Sequence, residues 1–287
     1  MPTEASMMIR IRDGMDALTP VNARIAAYVL QNPEQVVRMS IRALAQASEA
    51  SDAAVMRFCK AIGVGSYREL IVGLSAALGA QEDPQAGQFT DIQPGDELES
   101  IIRNISYSNR QSIDDTLQVL DAGEVQRAVD LLRSAKRIAF FGIGASALVA
   151  LDAQQKFSRI GRVCHAHTDS HDQVTAAVLM GAGDVAVVIS NSGETREILE
   201  ALAVLRETRA KIVAITRRQA STLGKAADVV LNFSTPEITI RSGAMGSRIA
   251  MHNLVDILYA GVASQEYGRI ARYLERTRDA LAQRRNK

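Results

Sequence analysis

The stretch ISNSGETRE places three hydroxyls, Ser190, Ser192 and Thr195, around Gly193, directly after the apolar run Val185-Ala186-Val187-Val188-Ile189. Hydroxyls donate hydrogen bonds without adding charge, and a glycine lets backbone amides approach a ligand closely. If a helix follows, its first amides are unpaired and its dipole is positive at that end. The chemistry that suits such a group is the holding of an anion, phosphate above all. The plainer alternative is a helix cap, in which one hydroxyl accepts from a first-turn amide and nothing else binds. A second turn of the same kind, Gly142-Ile143-Gly144-Ala145-Ser146, follows the apolar run Ile138-Ala139-Phe140-Phe141. Two such turns in one chain favour the anion, with Gly144, Ser146, Ser190, Ser192, Gly193 and Thr195 as candidate phosphate-binding residues. The first turn lacks the third glycine of a dinucleotide fingerprint, and the second lacks the lysine of a nucleotide-binding P-loop. No cofactor is therefore expected.

Other polar groups cluster further along. Cys164, His165, His167 and His171 lie close in sequence, but neighbours on a strand point to opposite faces and four-ligand metal spacing is missing, so no metal is expected. Asp169, Ser170 and His171 are triad residue types, but adjacent residues do not adopt triad geometry. Asp169 and His171 are candidates for the sugar end of a phosphorylated ligand, or they turn the chain. Glu237, Arg241 and Arg248 flank the last long apolar helix. Glu237 and Arg241 join the sugar-end candidates, where a carboxylate either hydrogen-bonds hydroxyls or serves as the base of an aldose–ketose isomerase.

Strands must deliver the two turns side by side for both to touch one ligand. Five apolar segments begin at Arg137, Arg162, Asp184, Lys211 and Asp228, and helical patterns near 146–160, 172–179 and 194–207 separate the first four. Continuous apolar strands alternating with helices predict an α/β domain with a five-stranded parallel sheet covered on both faces. Ligands of such sheets sit beyond the carboxyl ends of the strands. Two amphipathic helices, near 96–120 and 124–134, precede this domain, and a helix near 244–263 closes it before a basic tail.

Residues 1–80 carry helical patterns only, and 81–95, QEDPQAGQFTDIQPG, holds two prolines and two glycines without periodicity. The chain therefore divides into an all-α domain at 1–80, a linker at 81–95 and the α/β domain at 96–287. A length of 287 residues is enough for two cores, and 47% hydrophobic with 23% charged residues is an ordinary globular balance. No run nears the roughly 20 apolar residues of a membrane span, and the N-terminus lacks a signal-peptide core. Two lone cysteines fit a reducing compartment, so a cytoplasmic protein without membrane contact is expected.

Within the all-α domain, two short helices meet at SIRALAQASEASDAAVMRFCKAIG. The second presents Ser51, Asp52, Ala53, Ala54, Met56, Arg57 and Lys60 as candidate DNA-facing residues of a helix-turn-helix, with small residues first so that its end can enter a major groove. Arg57 suits a guanine edge or a phosphate, and Lys60 a phosphate. A helical bundle with a solvated polar face has the same pattern. Residues 1–80 hold eight Lys or Arg against seven Asp or Glu, so net charge does not separate the two.

Taken together, VMRFCKAIGVGSY, the GIGAS and SNSGET turns, and RSGAMGSRIAMHNLVDIL resemble the RpiR family of bacterial transcriptional regulators, over nearly the whole chain. The family joins an N-terminal helix-turn-helix to a sugar isomerase (SIS) domain. The resemblance implies a homodimer or homotetramer that binds operator DNA and responds to a phosphorylated sugar or sugar acid, with no catalytic residues. By the same resemblance Ser146, Ser190, Ser192 and Thr195 hold the phosphate, and Arg57 with its helix neighbours faces DNA. The sequence departs from the family at Ala50 and Ala54, where valine and serine or threonine are usual. The competing reading is a sugar-phosphate isomerase with a helical appendage.

Overall fold

The computed structural model describes residues 7–79, 95, 97–217, 219–235 and 244–285. Glu237, Arg241 and most of the expected linker lie outside them. The chain forms two compact units that meet in sequence between Ser108 and Asn109.

The first unit is helical: α1 (Met7–Gly14), α2 (Pro20–Gln31), α3 (Pro33–Val36), α4 (Ile41–Ala47), α5 (Asp52–Ala61) and α6 (Tyr67–Gly79). Hydroxyl caps start the middle helices: Thr19 accepts from Asn22 N, Ser40 from Ala43 N and Ser51 from Ala54 N. Each such cap is worth about 1 kcal/mol, because it satisfies an amide that the helix leaves unpaired. Ser66 accepts from Glu69 N while Glu69 accepts from Gly65 N, so the entry to α6 is bonded from both directions. Ile25, Val29, Leu44, Val55, Phe58, Leu70 and Leu74 form its buried core.

The second unit takes up α7 (Leu98–Val119) from Asn109 onward, followed by α8 (Ala122–Ser134). Strands and helices then alternate as β1 (Arg137–Phe141), α9 (Ala145–Arg159), β2 (Cys164–His167), α10 (Ser170–Val178), β3 (Asp184–Ile189) and α11 (Arg196–Glu207). They continue as β4 (Lys211–Thr216), α12 (Thr222–Ala226), β5 (Val229–Asn232), α13 (Met245–Gln265) and α14 (Tyr267–Arg285). All four strand pairings are parallel, in the order β2-β1-β3-β4-β5. The expected five-stranded parallel sheet is therefore present. One face buries Ile138, Phe140, Val187, Ile189 and Val213 against α8, α9 and α13, and the other buries Phe141, Val188 and Ala214 against α10, α11 and α12. Period-2 alternation places successive residues on opposite faces, and both are covered, which is why the strands are apolar throughout.

The order makes β1 and β3 the point at which the winding reverses. From β1 the chain crosses through α9 to β2 at the sheet edge, then returns through α10 to β3 on the other side of β1. Crevices for ligands open at such points. Phe141 lies opposite Val188 in the register, so the turns after β1 and β3 leave the sheet as neighbours.

Candidate functional site

Both glycine turns sit at this reversal point, beyond the carboxyl ends of β1 and β3. Gly144 adopts φ 60° and ψ −123°, a conformation closed to residues with a Cβ, and heads α9 without any side-chain cap. Ser146, in the first turn of α9, is only 7% exposed. Gly193 has φ 68°, and a Cβ there would lie 2.2 Å from Ser221 Oγ. Glycine at 193 is thus required by backbone conformation and by close approach together.

The hydroxyls of the second turn do not cap α11. Ser190 is 2% exposed, and its Oγ accepts from Gly193 N at 3.1 Å and pairs with Thr195 Oγ1 at 3.1 Å. Ser192 Oγ accepts from Glu194 N at 3.2 Å. Thr195 occupies the N-cap position of α11, but its side chain takes no amide of that helix. The first-turn amides of α11 therefore keep their dipole and their donors for something other than a side-chain cap. The turn is also held from outside. Leu223 N donates to Gly193 O, Thr222 N to Glu194 Oε1, and Ser221 Oγ caps α12 through Gly224 N.

The candidate sugar end lies at the start of α10. Asp169 caps that helix, accepting from His171 N at 2.9 Å and Asp172 N at 3.1 Å. The bonds from Asp172 and His171 amides hold its carboxyl below the usual aspartate range. His171 is exposed in the first turn, whereas His167 Nδ1 is bonded to Asp172 Oδ2 at 2.7 Å. Gln173, fully buried, donates through Nε2 to Gly142 O at 3.1 Å and to His167 O at 2.8 Å. One side chain thus ties the first glycine turn to the end of β2. The other sugar-end candidates, Glu237 and Arg241, lie outside the described residues.

In the helical unit, α4 and α5 are joined by Ser48–Ser51, with Glu49 at φ 51°. Val55, Phe58 and Cys59 bury one face of α5, while Ala53, Arg57 and Lys60, spaced i, i+4 and i+7, are exposed on another. Ser51 and Asp52 are exposed at its start, and Met56 is half-buried. Ala54 is the exception among the expected DNA-facing residues. It is 2% exposed and belongs to the core, because position 54 falls on the same stripe as Phe58. Its side chain is unavailable to DNA.

Residues 5–81 match the helix-turn-helix domain of the rpiR family, and residues 131–260 match the SIS domain. An HTH-type transcriptional regulator of Caldanaerobacter subterraneus is 41% identical over 274 residues, 96% of each chain. The chain belongs to the RpiR family. A second relative, the HTH-type transcriptional regulator HexR of Pseudomonas aeruginosa, is 36% identical over 96% of this chain and 95% of its own. Among solved structures, Vibrio vulnificus NanR complexed with ManNAc-6P shares the fold with a TM-score of 0.60, at 24% identity over 96% of this chain and 98% of that one. The protein is accordingly a DNA-binding transcriptional regulator with an SIS domain.

Sequence reasoning missed Gln173 and Ser221, which hold the two glycine turns in place. Ser221 carried a signal, since a serine before a short apolar turn is a capping pattern. Gln173 carried none: a lone glutamine in an amphipathic helix is ordinary until the fold brings two strand-end carbonyls to it.

Proposed function

We propose that a phosphorylated sugar or sugar acid binds across the turns after β1 and β3 and thereby controls operator binding. The observation that carries this reading is the pair of uncapped helix starts at neighbouring strand ends, each preceded by a glycine and accompanied by hydroxyls. A phosphate dianion there meets helix dipoles, backbone amides and the hydroxyls of Ser146, Ser192 and Thr195. Gly144 and Gly193 permit the approach. Ser190, buried inside its turn, contributes mainly by fixing Gly193 and Thr195. NanR, which shares the fold, was solved with a phosphosugar, and this supports the ligand class.

The sugar end then falls toward α10, with Asp169 and His171 as hydroxyl partners and Glu237 and Arg241 as further candidates. The DNA end is the exposed face of α5, where Ser51, Asp52, Ala53, Met56, Arg57 and Lys60 approach a double-stranded operator. Operator recognition implies a homodimer or homotetramer, since two recognition helices must reach two half-sites, and it places the protein in the cytoplasm with its DNA. No helix among the described residues is long and apolar enough to cross a membrane.

A thermal-shift screen against phosphosugars and phosphorylated sugar acids tests the ligand class, because a ligand that binds only the native state raises the melting temperature. A stabilising phosphorylated compound whose unphosphorylated counterpart is inert supports the proposal. Equal stabilisation by both forms overturns it.

A further inference from the structure

The two glycine turns offer their proposed ligand dipoles and hydroxyls, and neither brings a fixed positive charge. Of the described residues placed at the ligand, the glycines and hydroxyls are neutral, Asp169 is a carboxylate and His171 an imidazole. Glu194 adds a second carboxylate within the turn after β3. Arg196, the one cation of the stretch 189–197, is 89% exposed and bridges Glu200 one turn further along α11. A phosphate dianion beside two carboxylates is stabilised only if a cation reaches it from elsewhere in the fold.

Helix α13 carries a cation in a suitable place. His252 Nδ1 lies 3.1 Å from Asp152 Oδ2, and Lys156 Nζ bridges Asp152 and Asp256 at 2.6 Å each. Residue 252 thus stands beside 152 and residue 256 beside 156, so α9 and α13 run side by side in the same direction. One turn nearer the N-terminus on that stripe of α13 is Arg248, which therefore stands level with Leu148 in the first turn of α9. Long side chains on a helix lean toward its N-terminus, so the guanidinium is directed past Leu148 to Gly144 and Ala145, where α9 starts. Arg248 is half-buried, and its enclosed Nε has no hydrogen-bond partner among the described residues. A cation in the first turn of a helix also faces the positive end of the dipole, and α13 has no acidic residue in that turn to offset it. Burial, the unpaired nitrogen and the dipole make this arginine a local cost, which an anion at the start of α9 removes.

We infer that Arg248 is the cation that reads the ligand's phosphate, gripping it from the α13 side while the glycine turns hold it from the sheet. The inference rests on the proposed binding of a phosphorylated ligand across those turns, and it names the residue that selects for charge. A guanidinium donates two parallel N–H bonds to two phosphate oxygens, so it favours a phosphate over a neutral hydroxyl in the same place. The contacts of His252 and Lys156 hold α13 against α9, so the depth of Arg248 is set before any ligand arrives.

Thermal-shift titration of the full-length protein with inorganic phosphate tests the inference, using wild type, Arg248→Gln, Arg248→Lys and Ser192→Ala. Phosphate should stabilise wild type, and the apparent Kd taken from that stabilisation should rise at least about tenfold in Arg248→Gln, as for the loss of a hydrogen bond to a charged group. Arg248→Lys keeps the charge and loses the fork, so its Kd should fall between the two. Without phosphate, Arg248→Gln should melt no lower than wild type, because the conflict with the α13 dipole is gone. If Arg248→Gln binds phosphate as tightly as wild type while Ser192→Ala binds it more weakly, the inference fails and the proposed site stands. If Arg248→Lys binds no better than Arg248→Gln and both melt lower than wild type without phosphate, the arginine is structural and the inference fails. If phosphate does not stabilise wild type, or Ser192→Ala binds it as tightly as wild type, the proposed site fails and the inference with it.

Discussion

Replacing Gly193 by alanine puts the geometry of the second turn to a quantitative test. At φ 68° an alanine is in left-handed backbone, which costs roughly 1–2 kcal/mol. The added Cβ would also lie 2.2 Å from Ser221 Oγ and 2.6 Å from Ser221 Cβ, closer than real contacts allow. Ser221 must therefore move, and its cap on Gly224 N, worth about 1 kcal/mol, is weakened or lost. The expected destabilisation is about 2–3 kcal/mol. For a unit of this size, each kcal/mol lowers the melting temperature by about 2–4 °C, so a fall of roughly 4–12 °C is predicted. The assay is calorimetric or fluorescence melting of wild type, Gly193→Ala, Ser221→Gly and the double variant. Because the clash is with Ser221 itself, the double variant should be more stable than the two single losses added together, by about 1 kcal/mol. Strict additivity would falsify the contact on which the reasoning rests. Effector affinity should fall in Gly193→Ala as well, since the turn that carries Ser192 and Thr195 is displaced.

Other outcomes follow from the same geometry. Arg57→Ala should weaken operator binding with effector affinity intact; loss of a base contact costs about 1–3 kcal/mol at one position, and loss of a phosphate contact lowers the salt slope by about one unit on every sequence. Gln173→Leu should destabilise the second unit by about 1–3 kcal/mol, because two strand-end carbonyls lose their shared donor, and denaturant unfolding would read this directly. Burial pushes the Cys59 thiol up to about 11, so the unfolded chain gives up that proton first; stability is unaffected below about pH 9 and falls as pH rises from about 9 to about 11. That alkaline loss should be smaller in Cys59→Ala, and an identical pH profile would show that the thiol is not protected by the fold.

Much of the fold was visible in the residues, for physical reasons that differ by element. The five strands were evident because strands covered on both faces are apolar without interruption, as in Val185–Ile189 and Ile212–Ile215. Helices α2, α4 and α5 announced themselves through Thr19, Ser40 or Ser51 before an apolar period. Helix α1 did not, since Met7, Ile9 and Ile11 supply its apolar face amid charges. Helix α12 has five residues, too few for a period to show. The site was visible as residue types and invisible as roles. Ser190, expected at the ligand, also braces its own turn through Gly193 and Thr195, and Asp169 also caps α10. Ala54 was assigned to DNA as one of the small residues at the start of α5, but one residue along a helix turns a side chain by about 100 degrees, enough to move it from groove to core.

If the proposed function holds, a ligand at the sheet and a duplex at α5 are coupled. Titrating a labelled duplex from the protein's own promoter region, with and without the most stabilising phosphosugar from the screen, measures that coupling directly, and linkage requires operator DNA to change phosphosugar affinity by the same factor. The expected result is a preference for this duplex over random DNA and a shift of at least fivefold in operator affinity on adding the ligand. Ser192→Ala should need about 10- to 100-fold more ligand for the same shift, with ligand-free operator binding unchanged, as befits the loss of a hydrogen bond to a charged group. Operator affinity that no phosphosugar moves, at concentrations that saturate the native protein, would contradict the proposed function.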